Sequence, residues 1–203
     1  MKPHMADISS LSAAASPSTV EQPVALKEWA LVCDMLLDGR MTVLFRKGGI
    51  NEKGFWVEAD EFLLFPTYFH QNRDKVRPEF REEFDAAVGS APPEGTLRVP
   101  ALARVVEAIQ VTRNEGVYEL EDLHPYTREQ IDLRLEFRPK KPLVLLAVEV
   151  TRLRAPVDVP VLERYAGCSS WVPLEIGRYE IASPVLSRNE IERTADRVRA
   201  AVS

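Results

Sequence analysis

Residues 143–150, LVLLAVEV, decide the fold because they are apolar almost throughout and rich in Val and Leu. Such a run is typical of a strand that is buried on both faces, so we expect it at the centre of a sheet. Residues 151–154 continue the strand with alternating polarity. Pro156 and Pro160 are expected to break its hydrogen-bond ladder.

Upstream, a helical spacing of apolar residues predicts a helix from Ala25 that ends at Gly39. The residues on this stripe are Leu26, Trp29, Ala30, Cys33, Leu36 and Leu37. Residues 41–45 predict a strand, and the glycines that follow it predict a turn into a second strand over 54–58.

The remaining elements are shorter. Pro66 interrupts the apolar run 61–69, which favours a short helix or a bent edge segment over a long central strand. Residues 80–88 predict a helix, and 102–111 predict a strand with a bulge near Val106.

Thr127 with Gln130 and Ser187 with Glu190 are capping boxes, and the second begins an amphipathic helix over 187–202. This order predicts an α+β fold: a small, curled, mixed β-sheet or barrel flanked by short helices.

The chain has 203 residues, of which 45% are hydrophobic, and this length suits one domain with appendages. We expect a flexible leader over 1–24, a single α+β domain over 25–180 and the C-terminal helix. No apolar run is long enough to cross a bilayer, so we expect a cytoplasmic protein with no membrane partner. The two cysteines, Cys33 and Cys168, are expected to be reduced.

The net charge of -5 argues against a protein coated with positive charge, but basic residues are concentrated in two segments. Residues 134–154 contain six basic and two acidic residues, and residues 40–53 contain four basic and one acidic. A fold that brings these segments together would create a basic face on an acidic protein. Scattered, solvated charge is the alternative.

The second basic segment contains FRKGGIN at 45–51, with Arg46 and Lys47 directly before Gly48 and Gly49. The phosphate-binding pattern Gly-x4-Gly-Lys-Ser/Thr and the dinucleotide pattern Gly-x-Gly-x-x-Gly are both absent. The segment is therefore either a basic hairpin turn or an anion site at a strand end, where arginine offers a bidentate contact and lysine a point charge.

Two further places are candidates for contact with a nucleobase. His70 and Gln71 have side chains that could read a base edge or a phosphate. Trp171, which follows two serines, is either a stacking platform or part of a packed corner. We expect no cofactor and no metal site, because the spacing of histidines and cysteines does not support zinc.

The sequence assigns no catalytic residue. The serines near Trp171 lack the nucleophile-elbow pattern Gly-x-Ser-x-Gly. A metal-dependent nuclease of the restriction type would need Glu-x-Lys, which is missing after both Glu58 and Glu149. An enzyme that uses Glu58, Lys47 and His70, either a nuclease or a nucleoside-modifying hydrolase, stays an alternative.

Five ordered motifs resemble an uncharacterised bacterial family, the domain of unknown function DUF1802. The motifs are LKEWALVC from Leu26, LFRKGGIN from Leu44, FLLFPTYFHQ over 62–71, HPYT from His124 and YAGCSSWVPL over 165–174. The resemblance implies a link to restriction–modification, since such domains are found alongside restriction-endonuclease-like domains. It brings no catalytic residues.

Residues 38–46 also resemble the opening of ASCH domains, which are PUA-like β-barrels that bind RNA or DNA. Gly39 and Arg46 match that pattern, whereas Met41 stands where a lysine is expected and Leu44 where a glutamate or threonine is. The resemblance therefore implies a binder without the chemistry of the hydrolytic ASCH proteins. We expect a nucleic-acid-binding module, recognising an unusual or modified base through Arg46, Lys47, His70, Gln71 and Trp171. An accessory protein whose terminal helix docks a separate nuclease is a further alternative.

Overall fold

A computed structural model describes residues 23–47, 57–69, 71–167 and 169–203. Several sequence predictions lie outside these residues: the leader up to residue 22, Gly48, Gly49, the turn and most of the strand over 54–58, His70 and Cys168.

The described chain contains seven strands, four α-helices and several short 3-10 turns. In chain order they are β1 (Val24–Trp29), α1 (Ala30–Leu37), β2 (Val43–Arg46), β3 (Glu61–Thr67), α2 (Arg81–Gly89), β4 (Thr96–Gln110), α3 (Arg128–Glu136), β5 (Val144–Pro160), β6 (Trp171–Pro173), β7 (Ile181–Pro184) and α4 (Arg188–Val202). The 3-10 segments are Arg73–Lys75, Pro78–Phe80, Asn114–Leu123 and Glu163–Tyr165.

All seven strands belong to one mixed sheet with the order β2-β5-β4-β3-β1-β6, and β7 pairs with the far half of β5. Only β1 and β3 run parallel to each other among the described pairs. Strand β5 pairs with three strands, and Leu145, Leu146, Ala147 and Val148 at its start are fully buried. The predicted central strand and the α+β class are confirmed.

Pro156 does not end β5, contrary to the prediction. The pairing with β4 shifts between Val99, opposite Val157, and Ala101, opposite Arg152. The bulge places residues 153–156 of β5 opposite Pro100 alone, so Pro156 lies where no regular ladder bond requires an N–H. The bend also lets Leu153 pair with Ile181 of β7.

The predicted first helix begins five residues too early. Val24–Trp29 form strand β1, which pairs with β3 on one side and β6 on the other, and only Ala30–Leu37 are helical. The apolar spacing runs across the strand–helix junction because both elements are buried, so the spacing alone does not separate them. The predicted end of the helix is confirmed, since Gly39 has the positive φ of 71° typical of a residue after a helix.

The prediction for residues 61–69 is also wrong, since Glu61–Thr67 form the interior strand β3. Strand β4 pairs with β3 only through Leu63, whereas β1 continues alongside β3 up to Thr67. Pro66 therefore has one edge that is not paired with β4, and the missing N–H is tolerated there.

The other predicted elements are confirmed with adjusted limits. Helix α2 covers the predicted helix, and β4 has its irregularity between Val105 and Glu107, where the alternation fails. Thr127 caps α3 by accepting a hydrogen bond from Gln130 N at 3.2 Å. Glu190 accepts from Ser187 N at 2.8 Å and so completes the capping box of α4.

Helix α4 packs its apolar face on β4, β5 and the 3-10 segment Asn114–Leu123. Ile191, Ala195 and Val198 on this face are buried. At its end, Val202 O accepts hydrogen bonds from Thr112 N and Arg113 N, each at 2.9 Å. The terminal helix is thus fixed to the body of the described chain.

Candidate nucleic-acid interface

The curl of the sheet brings β2, at one end, close to β1, the second strand from the other end, and Arg46 joins them. Arg46 lies at the end of β2, and its Nη1 donates to Glu28 Oε2 at 2.8 Å and to Lys27 O at 3.1 Å, both on β1. The Glu28 side chain is 3% exposed and that of Arg46 is 12% exposed. A nearly buried ion pair therefore closes the seam between β2 and β1, where the described strands form no ladder.

Lys47 follows at the same seam and is 8% exposed. Its Nζ donates to Leu135 O of α3 at 3.1 Å, and no carboxylate of the described residues lies within salt-bridge distance. Burial lowers the pKa of this ammonium. Only one of its three N–H donors is used in the described part of the chain.

Arg134 reaches the seam from α3. Its Nη1 donates to Phe45 O at 2.6 Å, and its guanidinium lies over the Tyr126 ring, 4.4 Å from the centroid. Arg134 Nε is buried without a hydrogen-bond partner, and none of the ion pairs in the described chain includes Arg134. Sequence reasoning did not select Arg134, although it begins the basic segment 134–154.

These three cations line one cavity of about 410 Å³, which we call the seam pocket. Its lining residues come from the end of β2, from α3 and its C-terminal end, and from the residue before β6. They are Phe45, Arg46, Lys47, Gln130, Leu133, Arg134, Phe137 and Ser170. No carboxylate is among them, and one basic residue of the segment 134–154 meets two of the segment 40–53 there, whereas Arg152 and Arg154 pair with Asp38 and Glu180 elsewhere.

The rim of the seam pocket carries an exposed aromatic ring. Phe137, just after α3, is 40% exposed, and the Arg138 guanidinium lies 5.2 Å from the centroid of its ring. Lys140 and Lys141 are exposed in the loop that follows. A partly exposed ring beside a basic loop is the kind of arrangement on which bases of a single strand stack.

Beneath the pocket, His124 and Tyr126 form a buried aromatic layer. Their rings stack at 5.5 Å, and His124 Nδ1 accepts from Tyr126 N at 3.1 Å. Burial, and then the charges of Arg77 and Arg134, lower the pKa of His124 to about 4. Burial raises the pKa of Tyr126, whose hydroxyl has no partner in the described chain. Both groups are therefore neutral near pH 7.

Gln71 and Trp171 do not line the seam pocket. Gln71 Nε2 donates to Thr67 O, while Thr67 Oγ1 donates to Glu28 O at 3.0 Å. A chain of contacts therefore links Gln71 to the residue that pairs with Arg46. Trp171 is 5% exposed and packs edge-on against Phe62 at 5.3 Å, next to the lining residue Ser170.

Of the residues considered for catalysis, Lys47 lines the pocket, the described carboxylates do not, and His70 lies outside the described residues. Glu58 and Asp60 are exposed, and neither is among its lining residues. The described residues contain no group of three or more His, Cys, Asp or Glu side chains that could hold a metal ion. None of the described helices is long and apolar enough to span a membrane.

Comparison with known protein families identifies the family of this chain. The model of a domain of unknown function, DUF1802, matches residues 25–197. The chain belongs to the DUF1802 family. No curated protein matches it.

Among solved structures, this DUF1802 chain is similar to ASCH proteins from Zymomonas mobilis. One is the ASCH protein, with 11% identity over 90% of this chain and 97% of that chain, at a TM-score of 0.40. Another is a serine-to-alanine mutant, with 10% identity over 87% and 96% of the two chains and a TM-score of 0.44. In the DUF1802 chain, Met41 and Leu44 are buried in the core.

Proposed function

We propose that the protein binds single-stranded nucleic acid at the seam pocket, with a phosphate against Lys47 and Arg134 and a base on Phe137. The observation that carries this proposal is the lining of the pocket, which includes three cations and no carboxylate. A concave, positively charged surface beside an exposed ring combines the two contacts that single strands need.

The charge balance supports an anionic ligand. Arg46 is matched by Glu28, whereas Lys47 and Arg134 have no carboxylate partner among the described residues. A cation removed from water without a counter-ion is costly, and this cost lowers the pKa of Lys47. A bound phosphate would offset that cost.

Phe137 at the rim of the seam pocket offers the second contact, stacking with a base. Stacking of a base on an aromatic side chain contributes about 1–3 kcal/mol and tolerates any sequence. Lys140 and Lys141, exposed in the loop after Phe137, add positive charge beside the pocket, and we assign them to contacts with further phosphates of the strand. Because the whole chain has a net charge of -5, attraction to nucleic acid would be confined to this face.

Base selectivity is the finer part of the proposal. Gln71 is linked through Thr67 to the backbone carbonyl of Glu28, whose side chain pairs with Arg46, so we assign Gln71 to contact with the base edge beside the seam. Recognition of an unusual or modified base, and a link to restriction–modification, follow from the family resemblance and are proposed with it.

The test is the salt dependence of binding to a short single-stranded oligonucleotide, in DNA and RNA forms, measured by fluorescence anisotropy. Replacing Lys140 and Lys141 by Gln should weaken binding and reduce the slope of log K against log salt by about 0.7 for each lost phosphate contact. Arg178→Gln is the matched control, because Arg178 is exposed and is not among the residues that line the seam pocket. Equal slopes for all three proteins would contradict a contact of the strand with Lys140 and Lys141, and binding by the unmodified protein that does not depend on salt would contradict the proposal as a whole.

A further inference from the structure

We propose that the seam pocket takes the phosphate monoester at the end of a nucleic-acid strand in preference to an internal phosphodiester. This inference rests on the proposed function and deepens it, because it names the chemical group that the site selects. A terminal monoester is a dianion near neutral pH, whereas a diester is a monoanion.

The first argument is the number of uncompensated charges. Of the three cations that line the pocket, Arg46 is neutralised by Glu28 at 2.8 Å. Lys47 and Arg134 remain, and neither has a carboxylate partner among the described residues. Two uncompensated cations match a monoester, which carries a charge of about -1.5 to -2 at pH 7. A diester would leave one cation uncompensated.

The second argument is the number of free donors. Lys47 Nζ uses one N–H for Leu135 O and keeps two. Arg134 uses Nη1 for Phe45 O and keeps the N–H groups of Nη2, whereas its Nε is buried and faces no ligand. A terminal phosphate has three non-bridging oxygens to accept from these donors, and an internal one has two.

The third argument is the shape of the site. The cavity of about 410 Å³ lies within the size range of pockets that hold small ligands, roughly 300–1,000 Å³. Its walls are β2 on one side and α3 on the other, with Phe137 at the mouth. A terminal nucleotide would place its phosphate inside and its base against Phe137, with the rest of the strand leaving past Lys140 and Lys141.

The experiment compares four single-stranded oligonucleotides of one sequence by calorimetry. They carry a 5′-phosphate, a 3′-phosphate, no terminal phosphate, or a 5′-phosphate esterified with methyl. The methyl ester keeps the phosphate group at the same place and adds only a methyl group, but it removes the second charge. One phosphorylated form should bind about tenfold more tightly than the other three, and the two phosphorylated arms decide which end is bound.

Lys47→Met should abolish this preference, since it keeps an apolar stem of similar length without the ammonium, while Arg178→Gln should preserve it. The comparison of ligands on the unmodified protein holds even if the Lys47 variant folds poorly. Equal affinity for all four oligonucleotides would overturn the inference and leave the proposed function standing. Absence of binding by every oligonucleotide would overturn both.

Discussion

The Arg46 guanidinium lies 2.8 Å from the Glu28 carboxylate, and this pair joins β2 to β1 across the curl of the sheet. Glu28 is also held by Trp29 N, which donates to its Oε1 at 2.9 Å. Arg46 therefore has a structural role at the seam in addition to lining the pocket. Its replacement is consequently a poor probe of ligand binding alone.

Arg46→Ala should lower the free energy of unfolding by about 3–5 kcal/mol, because it leaves a buried carboxylate without its partner. The double variant Arg46→Met with Glu28→Gln should recover most of this loss, since the amide oxygen still accepts from Trp29 N and no charge is buried. Urea unfolding measures both. Arg154→Ala is the control, since the exposed Arg154–Glu180 pair should contribute less than about 1 kcal/mol. A loss that is equal for Arg46→Ala and Arg154→Ala would show that the seam pair is not structural.

Phe137→Ala should weaken binding of a single-stranded oligonucleotide about tenfold, because one stacked base loses its platform. The melting temperature should change little, since 40% of Phe137 is already exposed. Ile181→Ala, at an exposed position of β7, is the matched control and should leave affinity unchanged. If both variants bind like the unmodified protein, Phe137 does not contact the strand.

Gly116→Ala should destabilise the docking of α4. A Cβ at this position would lie 1.7 Å from Ala201 O, so the helix end or the 3-10 segment must move. Overpacking of this kind costs about 1–3 kcal/mol. Gly89→Ala at the end of α2 meets no atom within 4 Å and, by removing backbone freedom, should stabilise by about 0.5–1 kcal/mol. Thermal unfolding of the two variants should shift in opposite directions, and shifts of the same sign would contradict this packing.

His124 predicts a loss of stability in acid. Its pKa in the folded chain is about 4, lowered mainly by burial and also by Arg77 and Arg134, whereas Asp122 acts in the opposite direction. The unfolded chain binds a proton below its usual pKa of about 6.5, so this contribution is complete above that pH and falls as the pH drops towards 4. The loss amounts to roughly 3 kcal/mol.

His124→Gln should flatten this part of the pH profile of unfolding free energy, because glutamine does not titrate. Carboxylates also titrate in acid, so the measured quantity is the difference between the two proteins at each pH. A difference that does not change between about pH 7 and pH 4 would assign the acid sensitivity to other groups.

The parts of the fold that could be predicted are those in which local pattern and tertiary environment agree. The apolar run 143–150 is central because it is buried on both faces, and Ser187 with Glu190 caps α4 through local contacts. Residues 24–29 and Pro66 were misread because their strands are set by neighbours distant in the chain. Hydrogen bonding to β3 and β6 makes residues 24–29 a strand, and pairing with β1 and β4 does the same for the segment around Pro66. The local sequence pattern contains no information about these distant partners.

The candidate site was predictable only in part, for the same reason. Arg46 and Lys47 are recognisable as a basic strand end, and the charge of residues 134–154 hinted at a partner segment. Within that segment, Arg134 and Phe137 line the pocket because of the way α3 packs next to the end of β2, and the sequence does not show this packing. Trp171, chosen for its aromatic ring, is covered by Phe62.

The seam between β2 and β1 is closed by side chains rather than by backbone pairing, and this affects how the sheet moves. Between β2 and β1 the described backbone contributes no amide-to-carbonyl ladder, so side-chain contacts, among them the Arg46–Glu28 pair and the Arg46 hydrogen bond to Lys27 O, hold the wall of the sheet there, and the wall can part when they separate. Such breathing would widen the cleft for a bulky nucleobase while every paired strand stays intact. Amide hydrogen exchange would record it as faster opening at Arg46 and Lys47 than at the centre of β5.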